Sequence, residues 1–253
     1  MIKPYIKIKH PDGSEFQTDV MGLKMLDFDP SSLQFEYATD TVDMGIGSRV
    51  LGSKVNERTL KAVFDFYYDN MDSFRRTEMK IAEVFGLTQE VIISESINLW
   101  KQYRVRCKPY TIDRGNGVKA RLTLEFLLPS GLAESFNVEH DSFTVSNEDI
   151  IYTNNGTYEI DQRNDAEMSI TIVGATSNPK ITNKSTGDVW SYNGSTVVGD
   201  KLELKNYTTY KNGVNVLDKT NKAVITFKPG RNVLSITGAN NAQLIINSRN
   251  YFK

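Results

Sequence analysis

Histidine, cysteine and tryptophan are almost missing from this 253-residue chain, which has two, one and two of them. The lone Cys107 can form no internal disulfide and cannot anchor a thiolate metal cluster. It falls inside a strand pattern and reads as a small buried hydrophobe, in keeping with synthesis in a reducing cytoplasm. His140 stands between Glu139 and Asp141, but neighbours on an extended chain point to opposite sides and cannot converge on one ion. A solvated polar linker is expected there, and His10 precedes a Pro-Asp-Gly turn. Gly-x-Ser-x-Gly, His-Glu-x-x-His and phosphate-cradling loops are absent. Gly45-Ile46-Gly47 is followed by no helix pattern that could supply a dipole. The acidic pairs Asp27 with Asp29 and Glu148 with Asp149 read as surface carboxylates. No catalytic residue, metal or cofactor is expected, so the chain does not read as an enzyme.

An excess of charge is lacking too. Thirty basic residues meet thirty-one acidic ones, for a net charge of -1. Nucleic-acid binding needs many phosphate-neutralising side chains, and nothing here supplies them. No segment approaches the roughly 20 apolar residues that span a bilayer. The first nine residues alternate charged and apolar positions, as a strand does and a secretory leader does not.

What is present suffices for a core and about two domains: hydrophobic residues are 39% of the chain. Residues 5–9 and 15–20 flank the Pro-Asp-Gly turn and read as a hairpin, with further strands over 22–28 and 33–37. Residues 39–54 hold Gly45, Gly47 and Gly52 and show no period. They read as a long loop of the functional kind. Residues 60–68 then alternate, with Leu60, Ala62, Phe64, Phe66 and Tyr68 on one side. A helix is predicted over 73–85, with Asp72 as N-cap, Phe74, Glu78, Ile81 and Phe85 at helical spacing, Met71 and Ala82 beside them, and Gly86 as a left-handed end. Strands over 90–94, 103–110 and 121–128 follow, the last two joined by the glycine turn at 113–117.

Composition shifts near residue 137: residues 1–137 hold five asparagines and residues 138–253 hold sixteen. Short strands over 168–173, 201–205, 223–227, 233–237 and 242–247, separated by Asn-Gly, Gly-Asp and Pro-Gly turns, suggest an antiparallel sandwich. The boundary falls within 129–137. Sequons at Asn155, Asn183, Asn193 and Asn206 are what so much Asn, Ser and Thr produces by chance. Trp190 and Tyr192 could stack on a sugar, but packing within the sandwich is the favoured reading.

The order of these elements resembles the distal tail protein (Dit) family of siphophages infecting Gram-positive bacteria. Residues 63–68 (Val-Phe-Asp-Phe-Tyr-Tyr), the helix, and Tyr103-Arg104-Val105-Arg106 are similar to its strand, helix and strand. So is the strand over 122–128 leading into Pro129 and Ala133-Glu134-Ser135. Asn155-Gly156-Thr157, Asn178-Pro179-Lys180-Ile181, Gly199-Asp200-Lys201-Leu202, Lys211-Asn212-Gly213 and Pro229-Gly230-Arg231-Asn232 resemble its C-terminal domain.

The resemblance implies a mainly β chain with one helix: a β-barrel or sandwich plus helix over 1–137, and a galectin-like antiparallel β-sandwich over 138–253. It implies the short form, since the 116 residues from Val138 leave no room for an inserted carbohydrate-binding module. It further implies a virion tail-tip or baseplate hub made in the host cytoplasm. The hub would be a homo-hexameric ring touching the tail tube protein, the tail-associated lysin and receptor-binding proteins for host adsorption. An intersubunit arm would lie near residues 39–54, with Met44, Ile46, Val50 and Leu51 as its apolar contacts. The alternative is a glycan-binding module attaching the virion to the cell wall through Trp190 and Tyr192.

Overall fold

The computed structural model describes residues 4–41, 48–115, 117–146, 148–163 and 167–253. The chain divides into two compact units, Met1–Ala133 and Glu134–Lys253.

In the first unit β1 (Ile6–Lys9) and β2 (Glu15–Gln17) form the expected hairpin, with Ile8 opposite Phe16. β3 (Lys24–Pro30) follows, then β4 (Phe35–Thr41) and β5 (Ser48–Val55), then β6 (Arg58–Tyr67). After α1 (Met71–Phe85) come β7 (Glu90–Glu95), β8 (Lys101–Cys107), β9 (Thr111–Asp113) and β10 (Lys119–Leu128). One antiparallel sheet runs in the order β2-β1-β7-β8-β10-β6-β3, with β9 beside β10.

The period-two stripe of β6 faces the core: Leu60, Ala62, Phe64 and Phe66 are buried beside Phe126, Leu124, Leu122 and Ala120 of β10. α1 covers this face. Phe74 stacks on Phe66 at 5.8 Å between ring centroids and meets Tyr68 edge-on at 5.2 Å. Phe85 lies 6.2 Å from Phe126.

Three helix expectations need correction. The N-cap is Asn70, not Asp72. Its Oδ1 accepts the Ser73 N–H at 2.9 Å, while Ser73 Oγ accepts the Asn70 N–H at 3.2 Å. This reciprocal pair starts the helix two residues earlier and leaves Asp72 in the first turn, favourable to the dipole. Of the residues set beside the helical stripe, Met71 and Ala82 are exposed, and Val84 joins the buried face instead. Gly86 is not left-handed, with φ at -78°. Glycine is needed there because a Cβ would strike the Ala82 carbonyl.

A second correction concerns the junction. His140 is on a strand, Glu139–Thr144, not in a linker, and its Nδ1 lies 2.5 Å from Asn247 Oδ1.

The second unit is a two-sheet antiparallel sandwich. One sheet runs in the order Glu139–Thr144, Gln243–Ser248, Ser169–Val173, Lys201–Lys205, Thr208–Lys211, Val214–Asn215. The other runs Ile150–Asn154, Gly230–Ala239, Thr176–Asn183, Val189–Ser191. Ile170, Leu202 and Leu244 of the first sheet share one core with Tyr152, Ile181 and Leu234 of the second.

The asparagine enrichment has a structural reason. Asn154, Asn183 and Asn232 are almost fully buried. Asn154 donates to the Tyr158 and Phe227 carbonyls and accepts from the Gly156 N–H. Asn232 donates to the Lys228 and Gly230 carbonyls and accepts from the Lys228 N–H. Each amide satisfies turn backbone that would otherwise be buried without partners. Other asparagines take positive φ in turns: Asn212 (φ 49°) and Gly213 (φ 81°) form a two-residue hairpin with both central residues left-handed.

Candidate functional site

The described residues at the two ends of 39–54 are strands, not the expected loop. β4 and β5 pair with each other as a separate two-stranded antiparallel ribbon, from Phe35 opposite Val55 to Thr41 opposite Ser48. The register slips between Ala38, opposite Gly52, and Thr39, opposite Val50. Leu51 is the extra residue of this bulge. A bulge shifts the two-residue period by one, which is why the sequence shows no continuous alternation here.

A lone two-stranded ribbon is only marginally stable in water. This one also exposes apolar surface: Phe35 is 40% exposed, Tyr37 57% and Leu51 63%. Phe35 and Tyr37, two residues apart, share a face with ring centroids 6.3 Å apart. Of the four arm residues drawn from the sequence, Leu51 lies on the bulge and Val50 on β5. Met44 and Ile46 lie outside the described residues. Sequence reasoning missed Phe35 and Tyr37; their alternation with Glu36 was the available signal. It also missed Trp100, half-exposed before β8 with Lys101 Nζ 4.6 Å from its ring centroid, and the exposed Ile97 and Leu99 nearby.

At the root of the ribbon lies a groove of about 610 Å³, lined by Ser31, Gln34, Lys54, Val55, Asn56, Glu57, Arg58, Thr59, Lys108, Leu127 and Pro129. The Asn56 N–H donates to the Gln34 carbonyl at 2.9 Å, closing the ribbon above it. Gly131, at φ 69°, lets the chain pass against Val55 and Asn56, where a Cβ would collide with both. Arg58 has the parity of Leu60 and Ala62, which turns its side chain to the core side of β6, opposite Leu128. It is 6% exposed. Nη1 donates to the Ser31 carbonyl at 3.0 Å, and the buried Nε has no partner. Burial pulls the guanidinium below the usual arginine range, against the opposing pull of Tyr103. Lys108 Nζ donates to Thr59 Oγ1 at 2.8 Å and lies 3.9 Å from Glu125 Oε2.

Trp190 and Tyr192 sit in the sandwich core at 1% and 4% exposure. Neither presents a ring face to solvent for a sugar. Burial raises the Cys107 thiol to about 11, far from a thiolate nucleophile. Among the described residues no group of three His, Cys, Asp or Glu side chains could hold a metal ion. Nor is any helix among them long and apolar enough to cross a membrane.

The comparisons with known proteins agree with this architecture. Residues 24–128 match the family described as a phage tail protein RIFT-related domain. That match lies within the first unit. Over its whole length it has the fold of the Dit protein of phage SPP1, with a TM-score of 0.72, 14% identity, and 96% of this chain and 98% of that one covered. The fold is the one that the distal tail protein resemblance implies. Baseplate structures of phage P2 with calcium and with strontium are more distant. Their TM-scores are 0.47 and 0.46, with 8% and 7% identity, 98% and 96% of this chain covered, and 98% and 97% of those chains. No curated protein sequence matches.

Proposed function

We propose that this chain is the hub of a siphophage tail tip, a structural protein without catalysis. It acts as a hexameric ring between the tail tube protein and the tail-associated lysin, with receptor-binding subunits at its periphery. One observation carries this reading: both units together, rather than the tail domain alone, follow the fold of the SPP1 protein, whose structure is described as a paradigm of the hub adsorption apparatus of phages infecting Gram-positive bacteria. The ribbon supports it. An uncovered two-stranded element with exposed aromatics suits an arm lying on a neighbouring copy. Head-to-tail contacts of that kind close into a ring when the rotation closes. In this reading residues 1–137 build the ring, with the arm near 39–54, and the galectin-like sandwich of residues 138–253 projects as a docking platform. The protein is made in the host cytoplasm and ends in the virion.

Light scattering over a concentration series, followed by negative-stain imaging, tests the proposal. A concentration-dependent rise to six times the monomer mass, with ring-shaped particles, is expected. A mass that stays monomeric up to millimolar concentration overturns the ring.

A further inference from the structure

Arg58 is a charge in a place that suits a hydrophobe. It continues the buried stripe of Leu60, Ala62, Phe64 and Phe66 on β6 and is itself more than nine-tenths buried. A buried cation is costly unless it is paired. Yet among the described residues the guanidinium makes one hydrogen bond, to a backbone carbonyl, and its buried Nε makes none. The groups it interacts with electrostatically are Tyr103 and Lys101, neither of them a carboxylate. The groove it lines adds Lys54 and Lys108 and sets only Glu57 against them. Lys108 is already held by Thr59, with Glu125 at the edge of ion-pair distance.

We infer that this groove receives a carboxylate, the side chain of an Asp or Glu carried by a second copy of this chain where it covers the ribbon. The guanidinium fork matches a carboxylate with two parallel hydrogen bonds, and its unused donors include Nε. The protein source follows from continuity. The groove begins at Gln34 and Lys54, the residues that flank Phe35 and Val55 at the foot of the ribbon. A second copy that covers the foot of the ribbon at Phe35 and its partner Val55 also meets the groove, which Val55 lines. Once covered, the Arg58 charge is removed from water and paired in the same step, and this favours one register of docking over its neighbours. The inference rests on the ring reading for its occupant, but not for the site itself.

The test uses the full chain, Arg58→Met and Arg58→Lys, with glutarate as the free carboxylate. Glutarate is expected to raise the thermal midpoint of the parent chain saturably beyond sodium chloride of equal ionic strength. Arg58→Met should not respond, and its own midpoint should be no lower than the parent's. In the concentration series Arg58→Met should need at least about tenfold more protein for half assembly. Arg58→Lys, which keeps the charge but loses the fork, should fall between. A parent chain that ignores glutarate, or an Arg58→Met that responds equally, overturns the site. An equal response to phosphate and glutarate overturns carboxylate selectivity. Glutarate binding with unchanged assembly in Arg58→Met overturns the second copy as its source. A parent chain that binds glutarate through Arg58 but never associates keeps the site and removes the ring.

Discussion

His10 Nε2 lies 3.0 Å from the carbonyl of Val84 in the last turn of α1. The carbonyl only accepts, so Nε2 carries the hydrogen. The bond ties the first hairpin to the helix end, where carbonyls lack partners within the helix. The imidazole also packs on Phe16 at 4.8 Å between ring centroids. His10→Ala is expected to lower stability by about 1–3 kcal/mol, the cost of an orphaned buried acceptor. Urea unfolding measures it, and a change below about 0.5 kcal/mol would show that the bond contributes nothing.

Asn183 makes the same argument inside the sandwich. Its Nδ2 donates to the Thr226 carbonyl at 2.7 Å and its Oδ1 accepts the Ser185 N–H at 3.0 Å, at 0% exposure. Asn183→Leu orphans both groups, and a loss of about 1–3 kcal/mol for each is expected. The same burial denies a glycosyltransferase access to the Asn183 sequon. A denaturation midpoint equal to the parent's would count against this account.

The ribbon residues should behave oppositely. Phe35, Tyr37 and Leu51 are exposed, so replacing all three with Ser should leave the stability of the dilute monomer nearly unchanged, about 0.5 kcal/mol for each substitution. Assembly in the concentration series should weaken severalfold. Loss of the monomer fold, or undiminished assembly, would each remove the arm.

Asp200 gives a pH signature. Its carboxylate accepts from Asn212 Nδ2 at 2.8 Å and the Val197 N–H at 3.0 Å, with Lys211 Nζ at 3.2 Å. The Asn212 bond first, then the Val197 and Lys211 bonds, lower it to about 2. The folded state thus holds the proton less tightly than the unfolded chain. The stabilisation is present above the unfolded value of about 3.9 and is lost as pH falls from there through about 2. Carboxyl NMR titration of Asp200 should show the low midpoint. Asn212→Gly, which keeps the left-handed turn, should raise it; an unmoved midpoint would assign the shift elsewhere.

Much of the fold is local and was therefore legible. The alternation at Leu60 to Phe66 sets a strand face by itself, because side chains on a strand alternate whatever surrounds them. Phe74, Ile81 and Phe85 set a helix face by the same kind of repeat. The asparagine shift marked a second architecture beyond residue 137. Other features depend on partners far along the chain. The bulge at Leu51 is defined only by register against Ala38 and Thr39, so the ribbon read as a loop. That Asn183 is buried depends on the Thr226 carbonyl, 43 residues away. Trp190 could be platform or core until the second sheet closed over it. Nothing in the sequence marked Arg58, and only its parity on β6, which is flanked by β10 and β3, placed its charge on the core side. Sequence determined which residues repeat; tertiary structure decided which polar groups lose water, because burial is set by elements that meet only after folding.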